Sequence, residues 1–368
     1  MYVERLALTD FRNYGELELP LPRGLVIFTG SNAQGKSNIL EAVTLAATSR
    51  SFRTSNDREV VRWGAPGHFA RVEATFGRRA GPLHVDVVVA DSSPPQVGTP
   101  VRANTGPALP QPPVAFRKRI RVNGAPRRAM DLLGQATVVT FAPTDLEIVT
   151  GSPAERRRFL DVTLCQVHPA YCRTLSQFQK VLAQRAALLR RIKDGQEGPH
   201  ALSYWDDQLA QLAVPIMRTR AAFLRQAETV AARVYAELAR SEDAPAADAG
   251  ADVAIPDALQ LIYRPSYTGE LEGDEAAAVG RFRERLVELR RRELAQGVNV
   301  LGPHRDDLAF LAGEMDLATY GSRGQQRSAA LALKLAELGY IEQQTGDQPI
   351  LLLDDVLSEL DAERRGDL

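Results

Sequence analysis

Apolar and polar residues alternate twice near the start of the chain, in Val3-Glu4-Arg5-Leu6-Ala7-Leu8 and in Glu16-Leu17-Glu18-Leu19. A period of two puts every other side chain on one face, so residues 2–8 and 16–19 predict two antiparallel strands joined through Phe11-Arg12-Asn13-Tyr14-Gly15. Gly24-Leu25-Val26-Ile27-Phe28-Thr29 is a short β-branched run that predicts a buried strand, and residues 38–46 have helical apolar spacing. Alternation returns in 70–76 and 83–89. A basic strand, 116–124, closes on the turn pair Asn123-Gly124, and 136–141 predicts a further buried strand. The period then changes. From Ser152 to about Asp194 apolar residues recur at three and four, with Ser152 and Glu155 predicting a capping box and Pro153 the first helical position. A second helical run, Ala201 to Arg240, is expected to bend or split at Pro215 and to pack with the first as an antiparallel arm. Leu259 to Arg264 predicts a strand and Glu275 to Gln296 a charged helix. An Ala/Leu-rich helix runs through Tyr340, and Ile350 to Leu353 predicts a buried strand.

At 368 residues the chain exceeds what one core organises, so two lobes are expected. We assign residues 1–145 and 298–368 to an α/β core and 146–297 to an inserted helical arm. Residues 91–115, with seven prolines, form a surface loop in a hairpin, and 241–256 a linker. Hydrophobic residues at 44% and charged residues at 25% describe an ordinary water-soluble domain, and the net charge of −1 alone says nothing of nucleic acid. Cys165 and Cys172 have neither metal-ligand nor disulfide spacing. With no signal-peptide order at the start and no apolar run near the ~18 residues that span a bilayer, the expected location is the cytoplasm, without membrane contact.

The chemistry begins at Gly30-Ser31-Asn32-Ala33-Gln34-Gly35-Lys36-Ser37, which fits the phosphate-loop pattern G-x-x-x-x-G-K-[ST] in a strand–loop–helix context. The glycines let backbone amides turn inward around a phosphate and the helix adds its positive end. Lys36 would reach the β- and γ-phosphates of ATP, and the Ser37 hydroxyl would ligate Mg²⁺. The second half of such a site is Asp354-Asp355 at the end of the last apolar run. Asp354 would hold Mg²⁺ through water, and Asp355 would orient or deprotonate the attacking water. A third element, Ser322-Arg323-Gly324-Gln325, opens a helix. A hydroxyl, a glycine and a helix N-terminus describe an anion site, and equally a plain helix cap in which Ser322 satisfies backbone amides.

With these three pieces in order, the chain resembles the ABC-type ATPase heads of the SMC class and, more closely, the RecF family. The resemblance rests on Phe11-Arg12-Asn13-Tyr14, Asn32 to Ser37, Arg50-Ser51-Phe52-Arg53, Gly302-Pro303-His304-Arg305-Asp306-Asp307, Gly321 to Gln326 and Leu351 to Asp361. It implies an ABC-type P-loop ATPase head with a mixed sheet and an inserted helical arm lobe, in which two heads sandwich ATP between the P-loop of one and the signature turn of the other. Carried over, Ser322, Gly324 and Gln325 meet the partner's nucleotide, Ser358-Glu359-Leu360-Asp361 matches the loop crossing the dimer interface, and Arg12 lies near the nucleotide. No glutamine follows residues 136–141, so Thr144 or Asp145 stands where such heads carry their Q-loop. The family pattern continues through a further strand with a switch residue beyond Leu368, which reads as truncation or an unusual end; for this form ATP binding is expected and hydrolysis is left open.

The resemblance also implies a purpose. The expected protein dimerises on ATP, binds duplex DNA at single-strand gap junctions, hydrolyses ATP weakly with stimulation by DNA, and with RecR and RecO helps load RecA on SSB-coated gaps in replication, recombination, repair and the SOS response. A transporter-type subunit would carry Ser-Gly-Gly-Gln, Asp-Glu and a Q-loop, all missing here, and a P-loop kinase would lack the long insertion. Three basic clusters compete for DNA: nine Lys or Arg between 155 and 193 against two acids, six in Arg117 to Arg128 against none, and six in Arg281 to Glu293 against three. None interleaves aromatics with basics, so contact is expected through phosphates, independent of sequence.

Overall fold

The computed structural model describes residues 1–54, 56–91, 116–242 and 258–354. They fall into two compact units, Met1–Thr140 with Pro349–Asp354, and Phe141–Gln348.

The first unit is built on an antiparallel sheet. Its strands are β1 (Tyr2–Phe11), β2 (Tyr14–Pro20), β3 (Phe69–Gly77), β4 (Leu83–Asp91), β5 (Phe116–Val122) and β6 (Ala125–Arg127), in the order β2-β1-β3-β4-β5-β6. Leu6 opposite Ala74, Leu8 opposite Val72, and Val85 and Val87 opposite Val122 and Ile120 fix the buried face. A one-residue slip would expose all of them, so the alternation sets the register. Helix α1 (Lys36–Thr48) lays Ile39, Ala42, Val43, Leu45 and Ala46 into the same core. Its last turn ends on Ser49, whose carbonyl accepts from Lys118 Nζ at 2.7 Å, a cation at the negative end of a helix. After the short α2 (Ala129–Leu132), β7 (Val138–Phe141) pairs with a strand from the end of the chain, numbered β11 below (Ile350–Leu353).

Two expectations fail here. Residues 24–29 form no strand, and Leu25 and Ile27 are 85% and 72% exposed. A strand needs a ladder to satisfy its amides, and no described strand pairs with this run. The strand Ile350–Leu353 alternates rather than being buried throughout: Ile350 and Leu352 are inside, Leu351 and Leu353 exposed.

The second unit holds α3 (Leu146–Thr150), α4 (Pro153–Val167), α5 (Pro169–Lys193), α6 (Leu202–Glu242), β8 (Leu259–Arg264), α7 (Glu275–Gln296), β9 (Asp307–Ala312), β10 (Met315–Asp316), α8 (Leu317–Tyr320) and α9 (Arg323–Thr345), with β11 closing the chain order. The expected first helical run breaks in two at His168, ahead of Pro169. Ser152 caps α4 without a side-chain hydrogen bond, so the expected capping box with Glu155 does not form. Helix α6 continues through Pro215. Proline there removes the amide that would bond the carbonyl of Gln211, but Ala213, Val214, Ile216 and Met217 are all fully buried, and that packing outweighs the lost bond. Residues 298–348 cluster with this unit, not with the P-loop, because β9 pairs with β8 and α9 packs along α6. No helix among the described residues is long and apolar enough to cross a membrane.

Buried charge knits the second unit together. Arg185, fully buried, donates to Asp206 at 2.8 Å, Asn299 at 2.6 Å and Glu293 at 2.5 Å, joining α5, α6 and α7. Arg220 donates to Asp161 at 2.7 Å, to the Tyr171 hydroxyl at 3.0 Å and to the Pro303 carbonyl at 2.7 Å. Asp306 receives Tyr263 and the Ser266 amide, and Arg156 grips Asp307 with two bonds. The motif Gly302 to Asp307 thus anchors the lobe internally.

Candidate nucleotide-binding site

The loop 30–37 takes the shape its residues demand. Gly30 (φ 143°), Ala33 (φ 65°) and Gly35 (φ 105°) all have positive φ, the backbone state used in anion-binding nests. Gly35 is constrained twice, since a Cβ there would lie 2.7 Å from Asn13 side-chain atoms and the Tyr14 hydroxyl. Lys36 Nζ donates to the carbonyls of Gly30 (2.8 Å) and Ser31 (2.9 Å), arching over the loop, with one of its three N–H bonds unused among the described residues.

The end of the chain meets the start of α1. Ser37 Oγ donates to Asp354 Oδ1 at 2.6 Å. The contact follows from two placements: β11 delivers Asp354 at its C-terminal end beside β7, and Thr44 of α1 meets Thr140 of β7 at 3.1 Å between their hydroxyls.

A polar chain behind the loop escaped the sequence reading. Glu41, on the buried face of α1 and 0% exposed, accepts from Arg12 Nε at 2.8 Å, from Arg12 Nη2 at 2.6 Å and from Ser51 Oγ at 2.5 Å. Arg12 also donates to the Glu59 carbonyl at 2.7 Å, so three of its five N–H groups are engaged. Arg53 donates to Asn38, Asn38 to Asn13, and Asn13 to the Gln34 carbonyl, at 2.7, 2.8 and 3.1 Å. The turn 11–14 and the segment 50–53 therefore brace the P-loop. The available signal was Glu41 itself, the one carboxylate in an otherwise uncharged stretch from 37 to 49.

In the second unit, Ser322 is a reciprocal helix cap: its Oγ accepts from the Gln325 amide at 3.2 Å, and Gln325 Oε1 accepts from the Ser322 amide at 2.9 Å. Ser322 is exposed, and Gly324 is in the first turn of α9. Asp145 accepts from the Ala142 amide at 2.9 Å. Burial raises its pKa, with the Lys334 ammonium opposing. Thr144 is exposed. Lys334 is itself buried; desolvation alone would lower its pKa, and the Glu337 and Asp145 carboxylates reverse that and hold it above its ordinary value. Asp355, residues 358–361 expected at a dimer interface, most of the loop 91–115 and most of the linker lie outside the described residues.

A loop of positive-φ residues feeding a helix, an arching lysine and a returning carboxylate define a P-loop nucleotide-binding head. A protein-family model described as an AAA domain matches residues 5–99. The DNA replication and repair protein RecF of Chloroflexus aurantiacus is 42% identical over all of this chain and 89% of its own length, and that of Chloroflexus aggregans is 40% identical over 99% and 88%. The chain belongs to the RecF family. A solved structure of the recombination mediator protein RecF with ATP, of the RecFOR pathway, matches with a TM-score of 0.82 at 29% identity, over 99% of this chain and 87% of that one. The fold is thus that of RecF, a P-loop α/β head with a helical lobe, and the family's place is in DNA replication and repair.

Proposed function

We propose that the chain is an ATP-gated DNA-binding recombination mediator whose two copies close on ATP, hold duplex DNA near single-strand gaps and, with RecR and RecO, help load RecA. The observation that carries it is the Ser37–Asp354 contact beside the P-loop. Gly30 to Ser37 would surround the phosphates with amides, and Lys36 would leave the Gly30 and Ser31 carbonyls to neutralise them. Ser37 and Asp354 offer two hard oxygens, the donor set Mg²⁺ prefers. Octahedral bonds of about 2.0–2.1 Å put neighbouring ligands about 2.9 Å apart, so the 2.6 Å pair needs only a small opening for direct ligation, or a larger one with a bridging water. When bound, Mg²⁺ supplies charge neutralisation on the phosphates.

Ser322, Gly324 and Gln325 are assigned to the partner's nucleotide. The cap consumes an acceptor lone pair of Ser322 Oγ and leaves its O–H able to donate. Arg12 keeps two N–H groups for a nucleotide, and Asp355 is assigned to the attacking water of a slow hydrolysis. ATP binds the closed state better than the open one, so it shifts the population toward closure, and hydrolysis reverses it. Cys165 and Cys172 are both buried, and the location proposed for the chain is the cytoplasm. The test is duplex binding followed by fluorescence anisotropy with ATP, ADP or no nucleotide. The reading requires tighter binding with ATP; equal affinity in all three states contradicts it.

A further inference from the structure

In two of the three basic clusters, carboxylates pair with several of the arginines. In the first, Arg156 is held by Asp307, Arg185 by Asp206 and Glu293, and Arg191 by Glu197; Arg173, Lys180 and Lys193 are spread along the 25 residues of α5. In the third, Arg283, Arg285 and Arg290 pair with Asp207, Glu288 and Asp206, and Arg281 lies by Glu270. The β5 cluster differs. Strand alternation turns Lys118 inward, where Asp57 (2.6 Å) and the Ser49 carbonyl satisfy it, and turns Arg117, Arg119 and Arg121 outward, all exposed.

The outward three make no ion pair among the described residues. Their cross-strand neighbours on β4 are Ala90, Val88 and Asp86, and Asp86 is taken by Arg71 through two bonds of 3.0 and 3.1 Å. The chain from 92 to 116 contains no acid, and Pro126 stands opposite Arg121 on the other side. On the same sheet face Glu73 of β3 is paired with Arg71 at 3.1 Å, and the remaining acids, Glu16 and Glu18, lie on β2 at the opposite edge. The face is therefore polarised, with its positive pole on β5.

We infer that Arg117, Arg119 and Arg121 form a phosphate track for the backbone of duplex DNA. Side chains two apart on a strand are about 6.6–6.8 Å apart, close to the spacing of successive phosphates along one DNA strand, so three guanidiniums in a straight row can each meet a phosphate. Nothing in the row reads a base edge, which makes the contact independent of sequence. The inference rests on the DNA-binding reading above and assigns that contact to one strand.

The test is anisotropy of a labelled blunt duplex with the full chain, ATP and Mg²⁺, across a range of salt. Three lost phosphate contacts should lower the slope of log affinity against log salt by about 2–3 in Arg117→Gln/Arg119→Gln/Arg121→Gln, with affinity falling at least about tenfold for every duplex sequence. ATP affinity and melting temperature should stay at wild-type values. The single variant Arg119→Gln, which alters one exposed side chain, should lower the slope by about 1. An unchanged slope in the triple and single variants overturns the track, as does a loss seen instead in Arg291→Gln/Arg292→Gln on α7. A wild-type chain that binds no duplex removes the DNA reading itself, and the track with it.

Discussion

Ser37 and Asp354 are 317 positions apart in the chain and 2.6 Å apart in the fold, hydroxyl to carboxylate. The helix that begins the nucleotide site and the strand that ends the described chain thus bring together the two oxygens proposed to hold a cation. Asp354→Asn should retain ATP binding without metal and lose most of the added affinity that Mg²⁺ gives. Titration of a fluorescent ATP analogue with and without Mg²⁺ checks this; a full Mg²⁺ effect in the variant would remove Asp354 from the cation site.

Lys36 is the charge the phosphates would meet. Among the described residues its ammonium donates only to backbone carbonyls, so Lys36→Met should leave the melting temperature nearly unchanged while weakening ATP at least about tenfold, the loss of a charge-assisted contact. Calorimetric ATP titration on a variant shown to melt normally separates the two effects.

Glu41 is buried and holds Arg12 and Ser51 together. Glu41→Ala leaves a partly buried guanidinium without its carboxylate, a loss of about 3–5 kcal/mol. Thermal unfolding should show it, and ATP affinity should fall as well, because the turn 11–14 that braces Gly35 and Gln34 is anchored through Arg12. A wild-type melting curve would mean that the ion pair is not a brace.

How much of this was legible follows from the range of each interaction. The P-loop, the alternation of β1 to β5 and the bounds of α7 are local patterns and were read directly; Asp274 accepts the Ala277 amide at 3.0 Å and Gly297 ends that helix at φ 72°. The run 24–29 was misread because strand propensity says nothing about whether a partner strand is present. Continuity through Pro215 depends on burial that no local rule sees. The basic excess between 155 and 193 was the most misleading: Asp206, Glu293 and Asp307, which hold Arg185 and Arg156, lie outside that stretch of sequence. The Glu41 chain was missed for the same reason, since its partners come from residues 12 and 51.

Arg185 gives that lesson a test. Arg185→Leu strands two buried carboxylates, at a cost of about 3–5 kcal/mol. For a unit of this size that is a fall on the order of 10 °C in melting temperature. Pairing the change with Glu293→Gln should recover part of the loss; no recovery would place the defect in packing.

His304 makes stability depend on pH. Burial beside Phe178, followed by nearby arginines, lowers its pKa from 6.5 to about 4, against the pull of the Asn299 carbonyl. Between these values the unfolded imidazole carries a proton that the folded one does not, so stability falls as pH drops from about 6.5 toward 4, by up to about 3 kcal/mol. Urea midpoints across that window check it, and His304→Gln should flatten the profile relative to wild type.

The central claim is that ATP closes two copies of the chain around DNA. Sedimentation velocity on wild type, Lys36→Met and Ser322→Arg, each with and without ATP, Mg²⁺ and a short duplex, tests it most directly. The account predicts a wild-type dimer only with ATP, further stabilised by duplex, and monomers for both variants, with ATP still bound by Ser322→Arg. A wild-type monomer under every condition, or a normal dimer from Ser322→Arg, would contradict it.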